Sequence, residues 1–512
     1  MKRLLATLLF LCCCSFGQTT LSPAVKAFVT VDAPAIALTN VRVIDGTGAP
    51  ARENQMIIIR NGRIESVQAQ PHDQLLTKDT KVLDLSGHTV IPGLVGMHDH
   101  LFYPGALTPI HYSEDDFSAP RLYLAGGVTT IRTTGSIDGY TDISLRRDID
   151  SGRSPGPKIF PTAPYLEGAG AYTGQMHELK DADDARRTVA YWAEEGANNF
   201  KAYMHITRAE LSAAIDEAHK RGLKVTGHLC SIGFHEAAAL GIDDLEHGLL
   251  VDGDLDLPFD AMGFSNPEHG INKPPINHPG KQPDQCPEQS LIRDSLLTLP
   301  IDHSVVQQII KDLIAHHVAV TSTLPVFETF VPNRPSMSLP PTSANAPPQP
   351  SPYMRRVLDS MLPESRNDYL TTRARIAGAK DSPWPELFKK EMQFEYAFAK
   401  AGGLLLAGLD PTGYGGVVPG FGDQREVELL VEAGFTPIEA IKIATLNGAQ
   451  WLGVADKIGS IAPGKHADLV VIKGDPSTNI SDIENVETVF KDGVGYDSAK
   501  LIESARGKVG LH

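Results

Sequence analysis

From residue 92 to residue 456 the chain alternates short apolar or β-branched runs with segments of helical periodicity, and this alternation restricts the fold more than any single motif does. Strands separated by helices pair in parallel, because each crossover returns the chain to the same edge. Strand candidates lie at 89–98, 128–132, 158–161, 199–203, 224–228, 244–247, 318–322 and 404–408. Eight is the number that closes a (β/α)8 barrel, so the sequence predicts an α/β TIM barrel over 92–456. One unit is explicit: after the strand at 199–203, Thr207 reads as an N-cap, Glu210 completes a capping box, and Arg221-Gly222 ends the helix.

The two chain ends follow a different rule. Residues 35–91 hold short β runs punctuated by Asp45-Gly46 and Asn61-Gly62, and residues 457–505 hold similar runs ending near Asp492-Gly493. The expectation is one small β-sandwich composed from both ends. Two stretches interrupt the barrel pattern: 252–287 is rich in Pro, Asn and Gly, and 332–352 carries eight prolines in twenty-one residues. Both read as loop insertions near a barrel mouth.

Residues 1–17 read as a secretory signal, with basic Lys2 and Arg3, an apolar stretch from Leu4 to Cys14, and small Ser15 and Gly17 before Gln18. The expected location is exported, periplasmic or extracellular. No other apolar run is long enough to span a bilayer. Net charge is −16, and loss of Lys2 and Arg3 makes it −18, a balance that repels nucleic acid and anionic membrane surfaces. A small-molecule substrate is the expected partner, and a homo-oligomer is permitted. Three of the five cysteines fall in the signal, which leaves Cys230 and Cys286. Two cysteines cannot supply a disulfide framework, although an oxidising compartment permits one bridge; Cys230 reads as a buried, inert thiol.

The chemistry-bearing residues recur at strand ends. His98 and His100 leave one strand face together while Asp99 points away; Lys201 sits in the fourth strand, His228 and His247 end the fifth and sixth, and Asp410 follows the eighth. In a barrel those ends ring a single cavity. Glu246, adjacent to His247, reads as outward-facing or as lying behind the ligands. Arg132, Tyr172, His177, Tyr203, His205 and Tyr414 follow other strand ends and are candidates for substrate binding.

The segment 90–100, together with Gly227-His228, Leu245-Glu246-His247-Gly248, Gly408-Leu409-Asp410, Ala444-Thr445-Leu446-Asn447-Gly448-Ala449 and the segment 464–470, resembles the amidohydrolase superfamily. The arrangement looks most like its prolidase-like and imidazolonepropionase-related branches. The resemblance implies that His98, His100 and Asp410 hold one metal and that His228 and His247 hold a second. It also implies that Lys201 bridges them as a carbamate. The ions implied are two zinc, with manganese or another divalent ion as alternatives. In such a centre a hydroxide shared by the metals attacks the scissile carbonyl, with Asp410 as proton shuttle. The activity implied is hydrolysis of an amide-type C–N bond in a dipeptide or N-acyl amino acid. The alternatives are a mononuclear deaminase or cyclic-amide hydrolase, and a non-catalytic binding or scaffold relative.

Overall fold

Eight parallel strands frame the site, and they occur at the predicted places. A computed structural model describes residues 20–69, 76–107, 110–171, 173–256, 286, 289–337 and 350–510. The proposed signal, Tyr172 and most of the two loop insertions lie outside the described residues. The strands are β1 (Leu94–Asp99), β2 (Val128–Thr133), β3 (Lys158–Phe160), β4 (Asn199–Ala202), β5 (Lys224–Gly227), β6 (Asp244–Glu246), β7 (Ala319–Ser322) and β8 (Leu405–Ala407). Almost every residue in them is buried, as expected of parallel strands covered on both faces.

The strands hydrogen-bond as two sheets, β3-β2-β1 and β4-β5-β6-β7-β8, rather than as one closed cylinder. Isolated parallel bridges Thr162–Asn199 and Leu166–Ala202 join the segment after β3 to β4. At the other seam the Leu409 and Asp410 amides both donate to the His98 carbonyl, at 3.2 and 3.0 Å. The helix Arg208–Lys220 between β4 and β5 starts with the capping box that its sequence spacing predicts. The Glu210 amide donates to the Thr207 hydroxyl and the Thr207 amide to the Glu210 carboxylate, a cap of about 1 kcal/mol.

Both chain ends enter one nine-stranded sheet. Strand Leu469–Lys473 lies antiparallel to His88–Pro92, and Val494–Asp497 pairs with Val29–Val31. Asn61 and Gly62 have φ of 47° and 76°, the two left-handed residues of a type I′ hairpin, and Asp492 and Gly493 repeat the pattern at 51° and 80°. These turns touch: a Cβ on Gly62 would lie 2.6 Å from the Asp492 carbonyl oxygen, and one on Gly493 2.6 Å from the Gly62 Cα.

Two features depart from the sequence reading. A hairpin of Phe102–Leu107 and Ile110–Glu114 follows β1 directly; Pro104 and Gly105 within it break the alternation by which a strand is recognised. Cys230 is not a free thiol. It is disulfide-bonded to Cys286 with Cα atoms 4.8 Å apart, which ties the far end of the loop insertion to the turn beyond β5.

Candidate metal centre

Strand ends deliver six polar side chains to one cavity of about 360 Å³. His98 and His100 come from the end of β1, Lys201 from β4, His228 from just beyond β5, His247 from just beyond β6 and Asp410 from three residues past β8. The His98 ring centroid lies 5.2 Å from His100 and 4.6 Å from His247, and His247 lies 4.4 Å from His228. Asp410 Oδ1 stands 3.5 Å from His100 Nε2 and 3.8 Å from His98 Nε2, and Oδ2 stands 4.0 Å from His247 Nε2.

Local backbone geometry aims two of these groups. His247 and Asp410 have φ of 67° and 52°, a left-handed conformation that non-glycine residues adopt at a cost of about 1–3 kcal/mol. The cost is carried by surrounding contacts. Asp410 is anchored by its amide on the His98 carbonyl, and its side chain accepts from the Thr412 hydroxyl at 2.7 Å. The Nδ1 of His247 meets the Thr323 hydroxyl at 2.8 Å. His100 Nδ1–H donates to the Gly135 carbonyl at 3.1 Å, which leaves Nε2 toward Asp410.

The electrostatics favour the ligand protonation states. Burial, reinforced by Lys201 and neighbouring imidazoles, holds His98 and His228 well below the ordinary histidine value. Burial brings His247 down to about 3 against the opposing charge of Asp410. Burial likewise pushes the Lys201 amine well below its usual value. Asp410 goes the other way from what burial alone dictates, because contact with His100 and the charges of His247 and His100 keep it below the usual carboxylate value. Neutral imidazoles, a neutral amine and an anionic carboxylate are what a divalent cation requires.

Two triads have ligand atoms within 4.8 Å of one another: His98, His100 and Asp410, and His98, Glu246 and His247. That separation and the mixed imidazole and carboxylate donors fit a divalent transition metal. Glu246 is therefore a correction to the outward reading. It is fully buried, its carboxylate contacts Lys201 Nζ, and it stands 3.3 Å from His98 Nδ1.

Arg132 is a second correction. It is wholly buried, with Nη2 donating to Asp244 at 2.7 Å and Nε donating to the Met97 carbonyl at 2.7 Å, and Nη2 also lies 3.5 Å from Glu246. Its carboxylate partners and the Thr226 and Thr321 hydroxyls form a polar floor, so Arg132 is not among the described residues lining the cavity. Tyr203 and Tyr414 do line it. His205 instead pairs with Glu167 at 3.3 Å. His177 is exposed in a neighbouring cavity of about 390 Å³, 3.5 Å from Asp184. Sequence reasoning missed the wall formed by Phe327, Phe330 and Trp384, whose spacing is indistinguishable from that of core residues.

With this geometry in hand, the sequence model of the Amidohydrolase family matches residues 421–495, which follow Asp410 and run into the C-terminal strands. Over that segment the chain is similar to the amidohydrolase superfamily. A dihydroorotase of Pelobacter propionicus (strain DSM 2379 / NBRC 103807 / OttBd1) is 31% identical over 160 residues, covering 29% of this chain and 36% of that protein. The chain thus spans about a third of the length of the curated relative it matches. Among solved structures, a Xaa-Pro dipeptidase with methionine bound in its active site superposes with a TM-score of 0.61 at 21% identity, over 90% of this chain and 100% of that chain. Bottromycin amidohydrolase superposes with a TM-score of 0.63 at 18% identity, over 93% and 91%. At such identities these likenesses establish the α/β fold alone.

Proposed function

We propose that this protein is an exported metal-dependent amidohydrolase that hydrolyses an amide-type C–N bond of a small substrate such as a dipeptide or N-acyl amino acid. The observation that carries the reading is the convergence of four imidazoles, Lys201 and Asp410 on one cavity. His98, His100 and Asp410 hold one ion, and His228 and His247 a second. Metal ions bound there supply Lewis-acid polarisation and lower the pKa of a bound water. The neutral Lys201 amine adds to carbon dioxide: its Nζ forms a bond to carbon, one C=O π bond opens, a proton leaves, and the resulting carbamate is an anionic oxygen ligand. Asp410, kept anionic, takes the proton of the attacking water and passes it to the leaving nitrogen. The eight strands act as a (β/α)8 barrel over 92–456, and 35–91 with 457–505 form the composite β-sandwich.

One observation favours a second reading. Lys201 Nζ contacts the Glu246 carboxylate, and a lysine held there as an ammonium leaves a one-metal site of deaminase or cyclic-amide hydrolase type. Metal analysis of the purified protein separates the readings: two ions per chain support the first, one supports the second, and none indicates a scaffold. Turnover is then measured across dipeptides, N-acyl amino acids, lactones and ring amides. Asp410→Asn is expected to abolish it nearly completely, and near-normal rates in that variant at full metal content overturn the proton-shuttle role.

A further inference from the structure

The cavity walls differ in chemistry. One is a run of aromatic rings that starts at the candidate metal centre: Phe327 lies 5.8 Å from the His247 ring, and Trp384 lies 6.2 Å from Phe327 with an interplanar angle of 21°. Phe330 follows at 4.6 Å from Trp384, and Tyr414 at 5.1 Å from Phe330. Exposure rises along the run, from buried Phe327 through half-buried Phe330 and Trp384 to Tyr414 at 39%. The rings therefore lead from the metal centre to the mouth. Tyr165 and Tyr203, 4.8 Å apart, line the same cavity.

Charge is distributed unevenly as well. Among the described residues lining this cavity, the only basic side chain besides the imidazoles is Lys201, which the centre itself uses. The exposed Arg375 guanidinium lies 6.0 Å over the Tyr414 ring, outside the lining. A substrate carboxylate seated on the aromatic wall would lose its water without gaining a cation from the described lining residues, whereas an aromatic ring would be buried and stacked there.

We propose that the cavity selects substrates carrying a neutral aromatic group beside the scissile C–N bond, capped amides rather than free dipeptides or N-acyl amino acids with an ionised carboxylate. The inference rests on the hydrolytic reading of the centre and, within amide-type C–N bonds, replaces the free dipeptide and N-acyl amino acid examples with neutral aromatic amides. Rings stacked along Phe330 and Trp384 place such a group between the metal centre and the solvent.

The test compares kcat/KM of the metal-loaded full chain for N-benzoyl-phenylalaninamide, its free acid and N-acetyl-glycinamide. The aromatic amide is expected to exceed each of the other two by at least thirtyfold. Trp384→Ala is expected to reduce its advantage over N-acetyl-glycinamide at least tenfold, and Trp384→Phe to retain most of it. Binding of the same three compounds to Asp410→Asn, followed by calorimetry, should favour the aromatic amide over its acid at least tenfold. Equal turnover or binding of acid and amide, or an unchanged preference in Trp384→Ala, overturns the proposal. Preferential hydrolysis of free dipeptides leaves the hydrolase reading intact and removes this one. Selective binding without any turnover does the reverse.

Discussion

Replacing Arg132 with methionine separates its structural role from substrate binding. The guanidinium is fully buried, at 2.7 Å from Asp244 and 3.5 Å from Glu246. At an effective dielectric of about 20 these separations correspond to gross attractions of about 6 and 5 kcal/mol. Desolvation of three charges offsets much of that, so the useful quantity is the cost of leaving two buried carboxylates unpaired, about 3–5 kcal/mol. Methionine fills similar volume, so a cavity term adds little. Arg132→Met is therefore expected to lower the urea midpoint by about 1 M or more at a slope of about 3 kcal/mol per M. Trp451, whose ring lies 4.5 Å from the guanidinium, contributes to the fluorescence readout. The double variant Arg132→Met with Asp244→Asn should recover part of the loss, since it removes the stranded anion. An unchanged midpoint together with a raised KM would refute the argument and return Arg132 to the substrate.

Further outcomes follow from other groups. Lys201→Ala is expected to drop bound metal from two ions to one and to abolish hydrolysis, as checked by elemental analysis; full activity rules out bridging. In the metal-free protein, His247 binds its proton in the unfolded state at the ordinary value of 6.5 but in the folded state only at about 3. Stability should therefore fall as pH drops through that interval, by on the order of 5 kcal/mol in all, and His247→Gln should flatten the slope of urea midpoint against pH. The Cys230–Cys286 bridge spans 56 residues, so chain-entropy arithmetic gives about 4 kcal/mol of stabilisation against the unfolded state. Replacing both cysteines with serine should lower the unfolding midpoint, and a thiol count on the denatured, unreduced protein should find neither residue free.

The parallel strands were legible because residues buried on both faces read as continuous apolar runs, and because the turn and capping residues between them agree with the fold. The ligand positions were legible for the same reason, since strand ends share one face of such a frame. Glu246 was not. Alternation assigns opposite faces to neighbours in a strand, but β6 stops at Glu246 and His247 turns left-handed, so both side chains reach the interior. Arg132 sits in a strand whose neighbours give no hint of depth, and only the Asp244 and Glu246 carboxylates opposite reveal that it belongs to the floor. The aromatic wall escaped notice because Phe327 and Phe330 come from beyond β7 and Trp384 from the start of a later helix. Nothing local to either segment announces their meeting.

The shared sheet imposes a schedule on synthesis. Strand His88–Pro92 must wait for its partner Leu469–Lys473, some 380 residues later in the chain; at about 5–20 residues per second the delay is roughly 20–75 s. During that interval Val90 and Ile91, both buried in the finished protein, present an open edge to the surroundings. A ribosome that pauses late, or a chain cut before residue 469, leaves the same edge bare. The nascent chain is thus a client for holding factors until its last strands emerge, and its folding yield should track the speed of translation.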